Sequence, residues 1–272
     1  MPIKIIATDL DGTLLDKEGS LSRENYDAIA ELDKRGVLVV PITGRAKGEV
    51  PEELINHPSV RYIITSSGAV FEDFDTGERI ENNIPKEKVL EIRNILKNYD
   101  VYLTPHIDGE TYVNPEPVLN EGVADYFNMS YEYMRIFLST AKKSDVMSIM
   151  GGEHSVEMLP IFYHDLKQKL ICERKIGELG LTVSASDVRS SEIIAPTASK
   201  GNMLSLLCQK LKVNPDELIT VGDSRNDLSM MAVTPNSYAV ENASRELKSA
   251  AKNIAPKNTE HIMKFFLEKC KN

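Results

Sequence analysis

Two aspartates one residue apart, Asp9 and Asp11, close an apolar run near the start of the chain and lead directly into Gly12-Thr13. Carboxylates so spaced can hold a hard cation, and one can attack a phosphate ester while the other handles protons. Further along come Thr43-Gly44-Arg45, then Ser199-Lys200-Gly201, then Gly222-Asp223 followed by Asn226-Asp227. These supply hydroxyl and amide donors for phosphate oxygens, a cation, and two more acids. No piece is specific alone. Asp-Gly and Thr-Gly are ordinary turn chemistry, a lone lysine is usually solvated, and Asn-Asp can simply cap a helix. Their meaning depends on where the chain puts them.

Ile3, Ile5, Ile6 and Ala7 read as a buried strand. Asp9 and Asp11 therefore fall at its C-terminal end, where open α/β sheets bind ligands. Val37 to Ile42 is a continuous apolar run, as in a strand covered on both faces, and it ends in Thr43-Gly44-Arg45. A third run, Tyr62-Ile63-Ile64, ends in Thr65-Ser66-Ser67-Gly68, and Leu218 to Val221 ends in Gly222-Asp223. Ser22 as N-cap and Gly36 as left-handed C-cap bound a helix carrying Tyr26, Ile29 and Ala30 on one face. Lys200 to Leu211 is a second helix, broken by Asn214-Pro215. Tyr238 to Val240 and a run around Ile254 add strands, and Thr259 is expected to cap the terminal helix with Ile262, Met263, Phe266 and Leu267.

Residues 85–195 have a different pattern. Pro85 opens an amphipathic helix with Val89, Ile92, Leu96 and Tyr99 on one side. Val101 to Ile107, Asp108-Gly109 and Glu110 to Val113 read as a hairpin, with His106 expected to be exposed and inert beside the turn. Val146 to Met150 is expected to be a strand, Val156 to Glu178 a long helix, and Leu181 to Ser186 and Ser191 to Ile194 strands. Helices beside antiparallel strands indicate a separate α+β module. The fold expected is therefore α/β, a doubly wound, mostly parallel sheet formed by residues 1–84 and 196–272, with an inserted domain over 85–195. The connections near Asn82–Pro85 and Ala195–Ala198 are expected to act as hinges.

The chain has 272 residues, 42 % hydrophobic and 27 % charged, an ordinary composition with room for two domains. A net charge of -9 argues against a nucleic-acid partner, which calls for a basic patch. An acidic protein that handles phosphate must concentrate cation locally, which favours a metal. Cys172, Cys208 and Cys270 are sparse and unpatterned, as reduced thiols in a cytoplasmic protein would be. The strand at the amino terminus leaves no room for a signal peptide, and no apolar run is of membrane-spanning length. No membrane partner is expected. Oligomeric state is left open.

Taken in order, the four pieces make the chain resemble the haloacid dehalogenase-like (HAD) phosphatase superfamily, and its Cof-type subfamily in particular. The resemblance runs from Asp9 to the last helix. It implies a Mg²⁺-dependent enzyme acting on a small phosphorylated metabolite, most often a sugar phosphate, beneath a cap formed by the inserted domain. Asp9 would be the nucleophile and Asp11 the general acid and then base, with catalysis shared by Thr43 and Lys200. Metal would be held by Asp9, the Asp11 main-chain carbonyl and Asp223, with Asp227 close by. The all-oxygen ligand set suits Mg²⁺ and not zinc. Phosphate would be met by Thr43, Gly44, Lys200 and Asn226, with Arg45 either touching substrate or making a salt bridge. Ser67 departs from the subfamily's usual Asn, and Lys257-Asn258-Thr259-Glu260 departs from its usual loop. A phosphomutase, or a phosphate-binding protein without turnover, are the alternative readings. Receiver domains of signalling proteins share the acids but lack the inserted module and the Asp-x-Asp-Gly-Thr spacing.

Overall fold

The computed structural model describes residues 2–184 and 188–270. The first strands are β1 (Ile5–Thr8), β2 (Leu38–Pro41), β3 (Tyr62–Thr65), β4 (Val70–Asp73) and β5 (Arg79–Glu81). Then come β6 (Val101–Leu103), β7 (His106–Ile107), β8 (Glu110–Val113), β9 (Lys142–Lys143), β10 (Val156–Tyr163), β11 (Thr182–Ser184) and β12 (Ser190–Ile194). Last are β13 (Leu218–Gly222), β14 (Asn236–Val240) and β15 (Asn253–Ala255). Contacts divide the chain into two units. One takes the chain up to Gly44, Val50–Ile80 and the chain from Ser199; the other takes Arg45–Glu49 and Glu81–Ala198.

In the first unit the order β15-β14-β13-β1-β2 forms a parallel sheet. β1 lies between β13 and β2, with Thr8 opposite Val221 and Pro41. The chain moves from β1 to one side and later returns on the other, so the switch in strand order falls at β1, where such sheets bind ligands. Ile5, Ile6 and Ala7 are wholly buried, as strands covered on both faces require. Ser22 caps the helix Arg23–Lys34 by accepting from the Asn25 N–H, and that helix packs against Ile262–Lys269. This is the doubly wound sheet the apolar runs predict. β3 meets the end of β2 at the Ile42–Ile64 bridge and turns back into antiparallel β4, so the third run heads a hairpin. The final helix begins at Ile262 after a 3₁₀ turn over Asn258–Glu260, and His261, not Thr259, stands at its N-cap.

The second unit is built on a sheet of order β11-β12-β10-β7-β8-β9, with β6 also paired to β10. Helices Lys86–Leu96 and Leu166–Gly177 cover one face through Val89, Ile92, Leu96, Cys172 and Ile176. Helices Glu121–Phe127 and Tyr131–Thr140 cover part of the other through Phe127, Met134 and Phe137. Two expectations fail here. Val156–Tyr163 is a strand, buried at every residue, and the helix starts only after Asp165 caps it. A fully buried strand shows no period-two pattern, so its apolar run merges with the helix that follows. Val146–Ile149 is a helical turn because Asp145 accepts from the Ser148 N–H. The strand expected over Leu181–Ser186 is observed as Thr182–Ser184, and its last two expected residues, Ala185 and Ser186, lie outside the described residues. Among the described residues, no helix is long and apolar enough to cross a membrane.

Candidate active site

Parallel strand ends position the acids. The Asp9 N–H donates to the Val221 carbonyl (2.9 Å), which ties the start of the first acid loop to β13. The turn after Asp11 requires glycine. Gly12 has φ +71°, and a Cβ there would lie 2.6 Å from Asp223 Oδ2. The same turn is held from outside by Asn242, whose Nδ2 donates to the Gly12 carbonyl (2.7 Å). Asn242 Oδ1 in turn accepts from the Asn258 N–H (3.0 Å), and Asn258 Nδ2 donates to the Leu15 carbonyl (3.0 Å). Lys200 opens a helix capped by Ser199, whose Oγ accepts from the Asn202 N–H (3.0 Å). That helix start lies hard against the 66–68 turn: at Gly68, with φ +93°, a Cβ would meet the Ser199 carbonyl oxygen at 2.2 Å.

The side chains converge on one ammonium. Lys200 Nζ, buried to within 1 % of full coverage, lies 2.7 Å from Asp9 Oδ1 and 2.6 Å from Asp227 Oδ1. Asp227 Oδ2 accepts from the Asp223 and Ser224 N–H groups, both at 3.0 Å, so this acid also shapes its own loop. Burial works against the Lys200 ammonium, but Asp227 and Asp9 outweigh it and hold the amine protonated, above its ordinary range. Burial pushes Asp9 well above the usual carboxylate range; Lys200 opposes this, while Asp227, Asp223 and Asp11 add to it. Asp223 is pushed up to about 7, first by burial and then by the Asp227 charge. A single lysine does not balance these acids.

One oxygen from each of Asp9, Asp223 and Asp227 lies within 4.8 Å of the others. Hard oxygens carrying surplus negative charge fit a hard divalent cation. Among the described residues, neither His nor Cys joins this cluster. Asp11 is half-buried and close enough for its charge to act on Asp9 and Asp223. Thr43 is buried at the end of β2, its N–H donating to the Ile64 carbonyl (2.9 Å) and its carbonyl accepting from the Ser67 N–H (3.0 Å). Gly44 faces Ser67 Oγ and Asn226 Nδ2, which lie 3.4 and 3.6 Å from where a Cβ would stand.

Arg45 belongs to the other unit, where its Nη1 donates to the Glu49 carbonyl (2.7 Å). His106 is buried and not exposed: its Nε2 lies 4.0 Å from Glu49 Oε2, and burial pushes its pKa down to about 3. The hairpin pattern fixed its strand position but not what covers it. Sequence reasoning also passed over Asn242, and it noted Asn258 only as part of a loop that departs from the subfamily's. An Asn after a strand carries no local mark of a side chain that reaches another loop. Ser67 was noted only for its departure from Asn. Its φ of +55° is a conformation that Asn tolerates better than Ser, which explains why an amide suits this position.

The fold therefore gathers Asp9, Lys200, Asp223 and Asp227 at the ends of its parallel strands. The chain belongs to the haloacid dehalogenase-like hydrolase family, whose model matches residues 6–266. It is 29 % identical to 5-amino-6-(5-phospho-D-ribitylamino)uracil phosphatase of Bacillus subtilis, over 98 % of this chain and 97 % of that protein. A haloacid dehalogenase-like hydrolase from B. subtilis superimposes with a TM-score of 0.84 at 24 % identity, covering 98 % of this chain and 99 % of the other. A sugar phosphatase of HAD subclass IIB superimposes at 0.81 and 18 % identity, with 98 % of each chain covered.

Proposed function

We propose that this phosphatase hydrolyses small phosphorylated metabolites, sugar phosphates foremost, through an aspartyl-phosphate on Asp9 with Mg²⁺ as cofactor. The observation that carries the reading is the buried Lys200 ammonium between Asp9 and Asp227, with Asp223 in the same cluster. A phosphate monoester resists anionic attack because its own oxygens are charged. A carboxylate can attack it only where that charge is offset. Lys200 supplies part of the offset. Asp9, the Asp11 carbonyl and Asp223 would hold Mg²⁺, with Asp227 orienting Lys200. When bound, the metal would neutralise further charge on the transferring group.

In the first step an Asp9 oxygen bonds to phosphorus, the ester P–O bond breaks, and Asp11 gives its proton to the departing alkoxide. In the second, Asp11 takes a proton from water as that water bonds to phosphorus. The Asp9–phosphorus bond breaks, and inorganic phosphate leaves. Thr43 and the Gly44 N–H would donate to phosphate oxygens, and Asn226 would steady that loop. The inserted unit would act as the cap that selects the leaving group. The sugar-phosphate class is supported by the ribityl phosphate in the B. subtilis relative's name and by the sugar phosphatase among the solved neighbours.

Phosphate release from p-nitrophenyl phosphate tests the reading. It should need Mg²⁺, vanish with EDTA, and fall by at least 10³-fold in Asp9→Asn, the scale expected for loss of a nucleophile. Unaltered turnover in that variant would overturn the assignment.

A further inference from the structure

The loops that carry Asp11 and Asp223 are tied together by a third. β14 ends at Val240, beside β13 and one strand removed from β1. The chain turns directly after it, with the Ala243 N–H donating to the Val240 carbonyl (2.9 Å) and Ala243 buried. From this turn Asn242 Nδ2 donates to the Gly12 carbonyl (2.7 Å), on the loop after β1. Two residues on, the Ser244 N–H donates to the Asp223 carbonyl (2.8 Å), on the loop after β13. One short segment thus grips the residue next to Asp11 and the backbone of Asp223 itself.

Both grips are anchored in turn. Asn242 Oδ1 accepts from the Asn258 N–H (3.0 Å), and Asn258 Nδ2 donates to the Leu15 carbonyl (3.0 Å). Two asparagines that hold each other therefore take the turn at Gly12 and at Leu15. Ser244 Oγ accepts from the Leu247 N–H (3.2 Å) and caps the helix Arg245–Ala250. These bonds oppose a force. Oxygens of Asp9, Asp223 and Asp227 lie within 4.8 Å of one another, and like charges at that range repel. Asp9 follows β1 and the other two follow β13, so repulsion drives the two loops apart. A donor on a backbone carbonyl resists that without adding charge. The gap it holds is narrow, since a Cβ on Gly12 would lie 2.6 Å from Asp223 Oδ2. Width decides between ions: Mg²⁺ is small and demands near-ideal octahedral geometry, whereas Ca²⁺ accepts a larger and more flexible set of oxygens. Asn242 is exposed, so its bond serves the loops and not the core.

We propose that Asn242 is a positioning residue for the cation: with Ser244 it fixes the gap between the Asp11–Gly12 turn and the Asp223 loop, and the fixed gap favours Mg²⁺ over Ca²⁺. This rests on the metal assignment made for the phosphatase above and deepens it.

Calorimetric titration of the whole chain with Mg²⁺, and separately with Ca²⁺, tests it. Asn242→Ala should lower Mg²⁺ affinity about tenfold, the scale for losing a residue that orients a metal ligand. Ca²⁺ affinity should stay nearly unchanged, so the Mg²⁺/Ca²⁺ affinity ratio falls by the same factor. Saturating Mg²⁺ should restore kcat. Asn236→Ala is the control: Asn236 Nδ2 donates to the Asp216 carbonyl (3.0 Å) at the opposite end of β14, and its loss should leave the ratio alone. A merely structural Asn242 would weaken both ions equally or neither, and an unchanged ratio in Asn242→Ala overturns the inference. An equal fall in Asn236→Ala overturns it too. A wild type that binds no Mg²⁺ would instead overturn the metal assignment, and this inference with it.

Discussion

Asp9, Asp223 and Asp227 crowd around one ammonium, and that surplus of negative charge governs what single substitutions do. Asp223→Asn removes a half-buried carboxylate held up at about 7, so it should raise the melting temperature of the metal-free protein. The same change should abolish the further rise that Mg²⁺ gives the wild type by binding the folded state. Scanning calorimetry with EDTA and with Mg²⁺ checks both halves. A lower metal-free melting temperature would contradict the charge argument. Lys200→Met should act in the opposite sense, leaving Asp9 and Asp227 buried without their cation at a cost of about 3–5 kcal/mol in denaturant unfolding. Gly12→Ala should also be severe, since the new methyl would stand 2.6 Å from Asp223 Oδ2 in a backbone conformation with φ +71°. The acids, Thr43 and Lys200 were legible in sequence because each follows a strand or opens a helix. Their closeness was not, since it arises from residues nearly two hundred positions apart.

Caps mark some elements and not others: the helices after Ser22 and Ser199 are legible in sequence, while those capped by Asp145 and Asp165 read as a strand and as part of a longer helix. Ser22 and Ser199 mark their helices because the capping hydrogen bond is local. β10 was lost because burial on both faces erases the alternation that marks a strand. The segment Arg45–Glu49 gave no signal that it packs with the inserted unit. Its attachment is made by Glu49, which accepts from the Ala46 N–H (3.0 Å) and from Thr111 Oγ1 (2.5 Å), and by the Gly48 N–H, which donates to the Gly109 carbonyl (2.8 Å). The chain therefore passes between the units four times, at 44/45, 49/50, 80/81 and 198/199. Glu49→Ala leaves buried donors unpaired and should cost about 1–3 kcal/mol. Amide exchange at residues 46–49 should speed up markedly by mass spectrometry. Unchanged exchange there would show that Glu49 is not the fastener. Asn242→Ala should loosen the Gly12 turn and weaken Mg²⁺ binding without unfolding the sheet.

For the molecule as a whole, one half-buried and one buried group set opposite pH trends. Asp223 has a folded pKa of about 7 against an ordinary 3.8, so the stability it contributes is complete below 3.8 and is lost as pH rises through 7. His106 has a folded pKa of about 3 against 6.5, so its contribution is complete above 6.5 and is lost as pH falls towards 3. The metal-free protein should melt highest between these limits, and Mg²⁺ should move that optimum upward by relieving the Asp223 penalty. An optimum that ignores Mg²⁺ would contradict the assignment of Asp223 to the metal. The most direct measurement concerns the covalent step. Asp11→Asn, mixed with 2,4-dinitrophenyl phosphate and Mg²⁺ and quenched in acid, should carry a hydroxylamine-sensitive phosphoryl group that peptide mass spectrometry places on Asp9. Its good leaving group needs no acid, and hydrolysis stalls without a base. A protein that never acquires phosphate, or acquires it on another residue, would contradict the account.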